Sequence, residues 1–181
     1  MTQDIVILAA GKGSRMKSAF SKVLHKIGGV AMVNRVLSTA TSITGAKLHL
    51  VVGHQGEQVE ANCQDFETNI VWQNDPQGTG DALRRVAPFL QANGTTLTLY
   101  GDVPLIRVTT LEKMTAQSTP NSLVLLTICL DNPTGYGRIV RNEQNKVIAI
   151  VEQKDASESQ LKINEVNTGI LLAPNNHLQA W

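Results

Sequence analysis

The sequence predicts an α/β fold, a three-layer arrangement in which helices flank a mixed, mainly parallel sheet. Two observations point there. Short apolar runs alternate with helix-period patterns along the chain, as βα units require. The first run, Ile5-Val6-Ile7-Leu8, is continuous rather than alternating, which suits a strand covered on both faces.

The elements follow in order. A glycine- and lysine-bearing loop succeeds the first strand, and Met32, Val33, Val36 and Leu37 then recur at helical spacing. Residues 48–52 and 70–72 read as the second and third strands. Residues 79–90 carry a helix pattern that ends near Pro88, and 96–100 form a fourth strand with Gly101-Asp102 at its carboxyl end. Further strands are expected at 123–130, 147–151 and 169–172. After Pro120 the spacing tightens, with hairpin-like segments around Gly135-Tyr136-Gly137 and at 142–145. An inserted, substrate-facing part is expected there. Pro174-Asn175-Asn176 reads as the start of a helix with asparagine as its N-cap. The chain stops at Trp181, so the expectation is one domain, 1–181, incomplete at its C-terminus.

Composition narrows the function. With 42% hydrophobic and 17% charged residues, the chain reads as an ordinary soluble domain. No apolar stretch is long enough to span a bilayer, and the N-terminus lacks a basic region of the signal-peptide kind. A cytoplasmic location with no membrane partner is expected. Cys63 and Cys129 match no metal or redox spacing, so both are expected to be buried, reduced thiols. Net charge is +1, yet no acid lies between Asp4 and Glu57, while seven Lys and Arg residues do. Such a basic front end suits a small polyanion, or is simply a solvated surface. Aromatic residues are only 4%, which argues against a stacking platform for nucleic acid.

The strongest motif is Leu8-Ala9-Ala10-Gly11-Lys12-Gly13-Ser14-Arg15-Met16. Glycines let the backbone approach phosphates with amide groups turned toward them, and Arg15 offers a planar fork for phosphate oxygens. A dinucleotide loop fails, because its third glycine would fall at Met16 and the ribose-holding acid is missing. A Walker A loop fails on spacing. By itself the loop is equally an ordinary glycine-rich turn. Ser21-Lys22-Val23-Leu24 adds a second lysine, Gln77-Gly78-Thr79-Gly80 adds a second tight turn with Gln73 before it, and Asp102 stands at a strand end. Asp102 is either a turn residue or a Mg²⁺ ligand in the place where open α/β sheets bind ligands.

The ordered set of motifs resembles the nucleotide-sugar pyrophosphorylases. It comprises the glycine loop, Lys22-Val23-Leu24, Gln77-Gly78-Thr79-Gly80 and Tyr100-Gly101-Asp102-Val103-Pro104. It continues through Pro133-Thr134-Gly135-Tyr136-Gly137-Arg138-Ile139, Ile150-Val151-Glu152-Gln153-Lys154-Asp155 and Asn167-Thr168-Gly169-Ile170. Within that family the set is similar to the uridylyltransferase part of the bifunctional N-acetylglucosamine-1-phosphate uridylyltransferases, over residues 5–172. The resemblance implies a Rossmann-like sheet of the nucleotide-diphospho-sugar transferase type. It implies conversion of UTP and N-acetylglucosamine-1-phosphate to UDP-N-acetylglucosamine and pyrophosphate, for peptidoglycan and lipopolysaccharide precursors, with Mg²⁺ as cofactor.

Roles carry over position by position. Leu8, Ala9, Ala10 and Gly11 would hold uridine and ribose, and Gln73, Gly78 and Thr79 would read the uracil. Arg15 and Lys22 would neutralise the triphosphate, Tyr100 and Gly101 would border the substrate, and Asp102 would bind Mg²⁺. Gly137, Glu152 and Asn167 would line the sugar. Two departures stand out. Ser21 replaces a proline common in the family, and the family's second metal ligand, an asparagine, would lie beyond the end of this chain. The family's β-helix acetyltransferase domain and the homotrimer built on it are likewise expected to be missing. Transfer from dTTP or CTP, or nucleotide-sugar binding without turnover, are the alternatives.

Overall fold

The computed structural model describes residues 2–178 apart from 14, 15, 17, 19 and 76. It forms two compact units, residues 1–124 with 171–181 and residues 125–170. In the first, β1 (Gln3–Leu8) is followed by a small antiparallel pair, β2 (Lys26–Ile27) and β3 (Val30–Ala31), and then by α1 (Met32–Thr41). Next come β4 (Lys47–Val52), α2 (Gly56–Asn62), β5 (Asn69–Trp72) and α3 (Thr79–Val86). β6 (Thr95–Tyr100) and α4 (Val108–Ala116) complete that stretch. The second unit holds β7 (Val124–Cys129) from residue 125, β8 (Arg138–Arg141), β9 (Val147–Val151) and α5 (Glu158–Leu161). β10 (Glu165–Pro174) runs in the second unit to residue 170 and in the first from residue 171, leading into α6 (Asn175–Leu178).

The first unit's sheet has the order β5-β4-β1-β6, all parallel, and residues 171–174 add an antiparallel edge to β6. The sheet is therefore mixed and mainly parallel, as the alternating pattern predicts. Register sorts its side chains into two faces. Val6, Val51 and Val71 share one face and pack against Ala82 and Val86 of α3. Ile5, Ile7, Leu50, Leu97 and Leu99 take the other and are fully buried. On that face Gln3 reaches α4 through Nε2, donating to Thr115 Oγ1 at 3.1 Å. α1 contributes Met32, Val33, Val36, Leu37 and Ala40, the stripe a half-buried helix presents.

The expected helix over 79–90 stops earlier. α3 ends at Val86, and Pro88 lies in a 3₁₀ turn at Ala87–Phe89, because a proline cannot continue the α-helical ladder. Asn175 does not serve as an N-cap but is the first residue of α6. Its side chain is committed to a buried cluster, where Nδ2 donates to Asp4 Oδ2 at 2.9 Å and to the Gln91 carbonyl at 2.7 Å. Its Oδ1 accepts from Thr96 Oγ1 at 2.6 Å. The thiols differ from expectation in one respect: Cys63 is buried, but Cys129 is exposed. The segment at 142–145 is the turn between β8 and β9, with Asn145 at φ 61° and Asn142 Oδ1 accepting the Gln144 and Lys146 amides.

Two outcomes follow from burial. Asp4→Ala removes a fully buried carboxylate from three partners and should destabilise the fold by about 3 kcal/mol in urea unfolding. Burial pushes the Cys63 thiol up to about 11, so a thiol reagent at neutral pH should modify Cys129 in the native protein and Cys63 only after unfolding.

Candidate functional site

Strands β1, β5 and β6 finish at one edge of the first unit's sheet, and backbone bonds lock their exits together. Ala9 N donates to Val51 O at 2.8 Å, Gln73 N to Val52 O at 2.7 Å and Gly101 N to Leu8 O at 2.9 Å. The chain passes from β1 to β4 on one side and only later to β6 on the other. That edge is thus a topological switch point, where the crevice above a parallel sheet takes ligands.

A cavity of about 480 Å³ lies there, within the size range of small-molecule sites. It brings together Leu8, Ala9, Ala10, Gly11, Lys22, Gln73, Gly78, Thr79, Tyr100 and Asp102. All ten were singled out from sequence. Gly101 adjoins the lining, where an added Cβ would stand 3.2 Å from Val23 Cγ1 and 3.3 Å from Leu8 O. Arg15 lies outside the described residues. Gly13, Met16, Val23 and Ala82 also border the cavity and were not assigned roles. The first three belong to the quoted motifs, and Ala82 follows the Gly78-Thr79-Gly80 turn.

Lys22 Nζ forms an ion pair with Asp102 Oδ2 within the cavity lining, both side chains being partly exposed. Two features hold Lys22 there. It opens a 3₁₀ turn at Lys22–Leu24, and Gly13, at φ 56°, lies so close that an added Cβ would stand 2.8 Å from Lys22 Cβ. Ser21 has φ −52°, inside the window a proline would impose, so the family's proline and this serine fit one backbone path. Burial, and secondarily the Asp102 charge, raise the Tyr100 hydroxyl above its ordinary value. It therefore remains protonated at neutral pH.

The Gln73 carboxamide is nearly fully buried. Its Nε2 donates to Gly78 O at 3.1 Å and to Asp81 Oδ2 at 2.7 Å. Both partners are acceptors, so the amide has one possible orientation, with Oε1 as its remaining acceptor. Gly78 has φ 109° and ψ −179°, a conformation essentially confined to glycine. Asp81, in turn, receives Arg85 Nε at 3.1 Å, one helical turn further on. Asp81 was missed from sequence, where it reads as an ordinary first-turn acid.

The second unit holds its own polar group. Asn167 N donates to Gly137 O at 2.9 Å, and Glu152 Oε1 would stand 3.2 Å from a Cβ added at Gly137. The three residues assigned to the sugar are therefore neighbours. Asn167 Oδ1 accepts the Gly169 amide at 3.0 Å, which leaves its NH₂ as the group to offer a ligand. Among the described residues no hydrogen bond occupies the Glu152 carboxylate.

No set of three or more His, Cys, Asp or Glu side chains is gathered for a metal among the described residues. Among the described residues Asp102 alone presents a carboxylate to the cavity, with Oδ2 toward Lys22 and no hydrogen bond on Oδ1. One hard oxygen fits Mg²⁺ that takes its other ligands from phosphates and water. It does not fit a cation caged by protein alone.

Solved structures share the fold at low identity. HddC from Yersinia pseudotuberculosis, complexed with GMP-PN, superposes with a TM-score of 0.72 at 17% identity, over 98% of this chain and 79% of that one. A CMP:2-keto-3-deoxy-manno-octonic acid synthetase complexed with CTP gives 0.72 at 21%, over 99% and 76%. The chain belongs to the MobA-like NTP transferase domain family, which it matches over residues 5–152. It is 86% identical to the bifunctional protein GlmU of Marinomonas sp. (strain MWYL1), covering 100% of this chain and 40% of that protein. It is 52% identical to the bifunctional protein GlmU of Marinobacter nauticus, covering 98% and 39%. The chain thus spans about 40% of the length of the curated relatives it matches.

Gly11 offers a clean probe. Among the described residues, its chain neighbours apart, a Cβ there would meet no atom within 4 Å although the residue borders the cavity. Gly11→Ala should leave the melting temperature unchanged and weaken nucleoside triphosphate binding at least about tenfold by calorimetry.

Proposed function

We propose that this chain transfers a uridylyl group from UTP to N-acetylglucosamine-1-phosphate, releasing pyrophosphate and forming UDP-N-acetylglucosamine. The observation that carries the reading is the pairing of a partly exposed Lys22 and Asp102 in the lining of a cavity that the buried Gln73 also lines. Identity to relatives named bifunctional protein GlmU supports the choice within the family.

The cavity takes the nucleoside, with Leu8 to Gly11 following its sugar and Gln73 Oε1 accepting the N3 hydrogen of uracil. The Lys22 ammonium answers the charge of the triphosphate, joined by Arg15. In the reaction a phosphate oxygen of the sugar-1-phosphate bonds to the α-phosphorus of UTP, and the bond from that phosphorus to the bridging oxygen breaks. The electron pair leaves with pyrophosphate. No covalent enzyme intermediate is needed, because positioning and charge neutralisation lower the barrier. Asp102 would hold Mg²⁺, which when bound polarises phosphoryl oxygens and offsets their charge. For the acceptor sugar, Glu152 supplies a hydrogen-bond acceptor for hydroxyls, and the Asn167 NH₂ suits the carbonyl of an acetamido group. Gly137 keeps the space beside Glu152 open.

No helix among the described residues is long and apolar enough to cross a membrane. A cytoplasmic setting is part of the proposal because its substrates are water-soluble. Assembly into trimers belongs to the longer protein in this reading.

Pyrophosphate release from UTP, dTTP and CTP, with N-acetylglucosamine-1-phosphate and Mg²⁺, tests the proposal. Turnover with UTP should fall by about 10²-fold or more in Asp102→Ala and in Lys22→Ala. Binding of UDP-N-acetylglucosamine without turnover would favour a binding fragment, and a preference for CTP would sink the uracil assignment.

A further inference from the structure

A glutamine is a two-faced reader of bases. Turned one way it accepts a hydrogen; turned the other it donates one. Uracil and thymine carry a hydrogen at N3, whereas cytosine carries a lone pair there. The orientation of Gln73 therefore decides which pyrimidine it can bind, and in this protein two neighbouring acceptors set that orientation. Gly78 O and Asp81 Oδ2 both face the Gln73 nitrogen. Rotating the amide would set Oε1 against two acceptors, one of them a full negative charge. Gly78 O is the weaker influence, since it is neutral, stands further away and also accepts from Ala82 N at 3.3 Å.

Asp81 is well placed to dominate. It lies in the first turn of α3, where an acid is favoured, and Arg85 holds it from one turn below. Hydrogen bonds from Gln73 and then Arg85 hold its carboxyl below the usual carboxylate range, so it is ionised at neutral pH.

We propose that Asp81 is a positioning residue for base selection. By accepting the Gln73 amide hydrogen, it keeps Oε1 turned to the base, admitting pyrimidines with an N3 hydrogen and rejecting cytosine. The inference rests on the reading of Gln73 as the residue that meets the base.

Calorimetric binding of UTP, dTTP and CTP, with Mg²⁺, to the wild-type chain, Asp81→Ala and Asp81→Asn tests it, with melting temperatures alongside. The wild type should favour UTP and dTTP over CTP. Asp81→Ala should reduce that preference about tenfold, the worth of one charge-assisted hydrogen bond, while the melting temperature moves only a few degrees. Asp81→Asn, whose carbonyl can still accept, should fall between. An unchanged preference in Asp81→Ala overturns the proposal. Equal weakening of all three nucleotides also overturns it, by assigning Asp81 a purely structural role. A wild type that binds UTP and CTP alike would remove the base-reading assignment of Gln73 itself, a result distinct from either.

Discussion

The first unit depends on a carboxylate that has no access to water. Asp4 is fully buried near the start of β1, and an ion there is tolerable only with several partners. Oδ1 meets His49 Nε2 at 3.0 Å, and Oδ2 receives the Gln91 amide at 3.1 Å and Asn175 Nδ2 at 2.9 Å. Asn69 Nδ2 lies 3.1 Å from His49 Nδ1, and donation there leaves Nε2 as the nitrogen carrying a hydrogen toward Asp4. The cluster ties β4, the turn after α3 and the returning C-terminal segment to the first strand. Segments 171 residues apart in sequence are joined by one bond.

This clasp sits toward the amino end of the parallel strands, and the cavity opens at their carboxyl end. β1 carries both, with Asp4 near one end and Leu8 at the other. The backbone between them is buried and paired on both sides, so the loop that follows leaves from a fixed point. A related economy recurs in each unit taken by itself. Gln73 has its nitrogen bound and its oxygen available, and Asn167 has its oxygen bound and its nitrogen available. Both amides are oriented by the protein itself, and such preorganisation reduces the ordering cost of binding a ligand.

Much of this was legible in the sequence because it rests on local signals. Continuous apolar runs marked the parallel strands, and glycine-rich stretches marked the loops that meet at the switch point. What escaped depends on distant partners. Asp4 reads as a stray acid until β4 and α6 arrive beside it. Asp81 reads as a helix-start acid until Gln73 is turned against it. α4 buries only Leu111 and Met114, too sparse an apolar stripe to stand out, and the two-residue strands β2 and β3 carry no period at all. The exposure of Cys129 in a strand beside Arg141 could not be read from spacing, which says nothing of which face is covered.

Asp102 shows how environment, rather than residue type, divides labour between two carboxylates. Asp4 is dry and held by three groups, so any departure of a partner strands a charge. Asp102 keeps about a quarter of its surface in water and Lys22 about two fifths. A pair that exposed contributes little to stability, and water replaces either partner at small cost. The link between the β1 loop and the end of β6 is therefore releasable. In the proposed reaction a phosphate would draw the ammonium and a cation the carboxylate, without disturbing the sheet. The buried cluster at Asp4 lies toward the opposite end of the strands, and this separation would let a charged site change partners on a rigid frame.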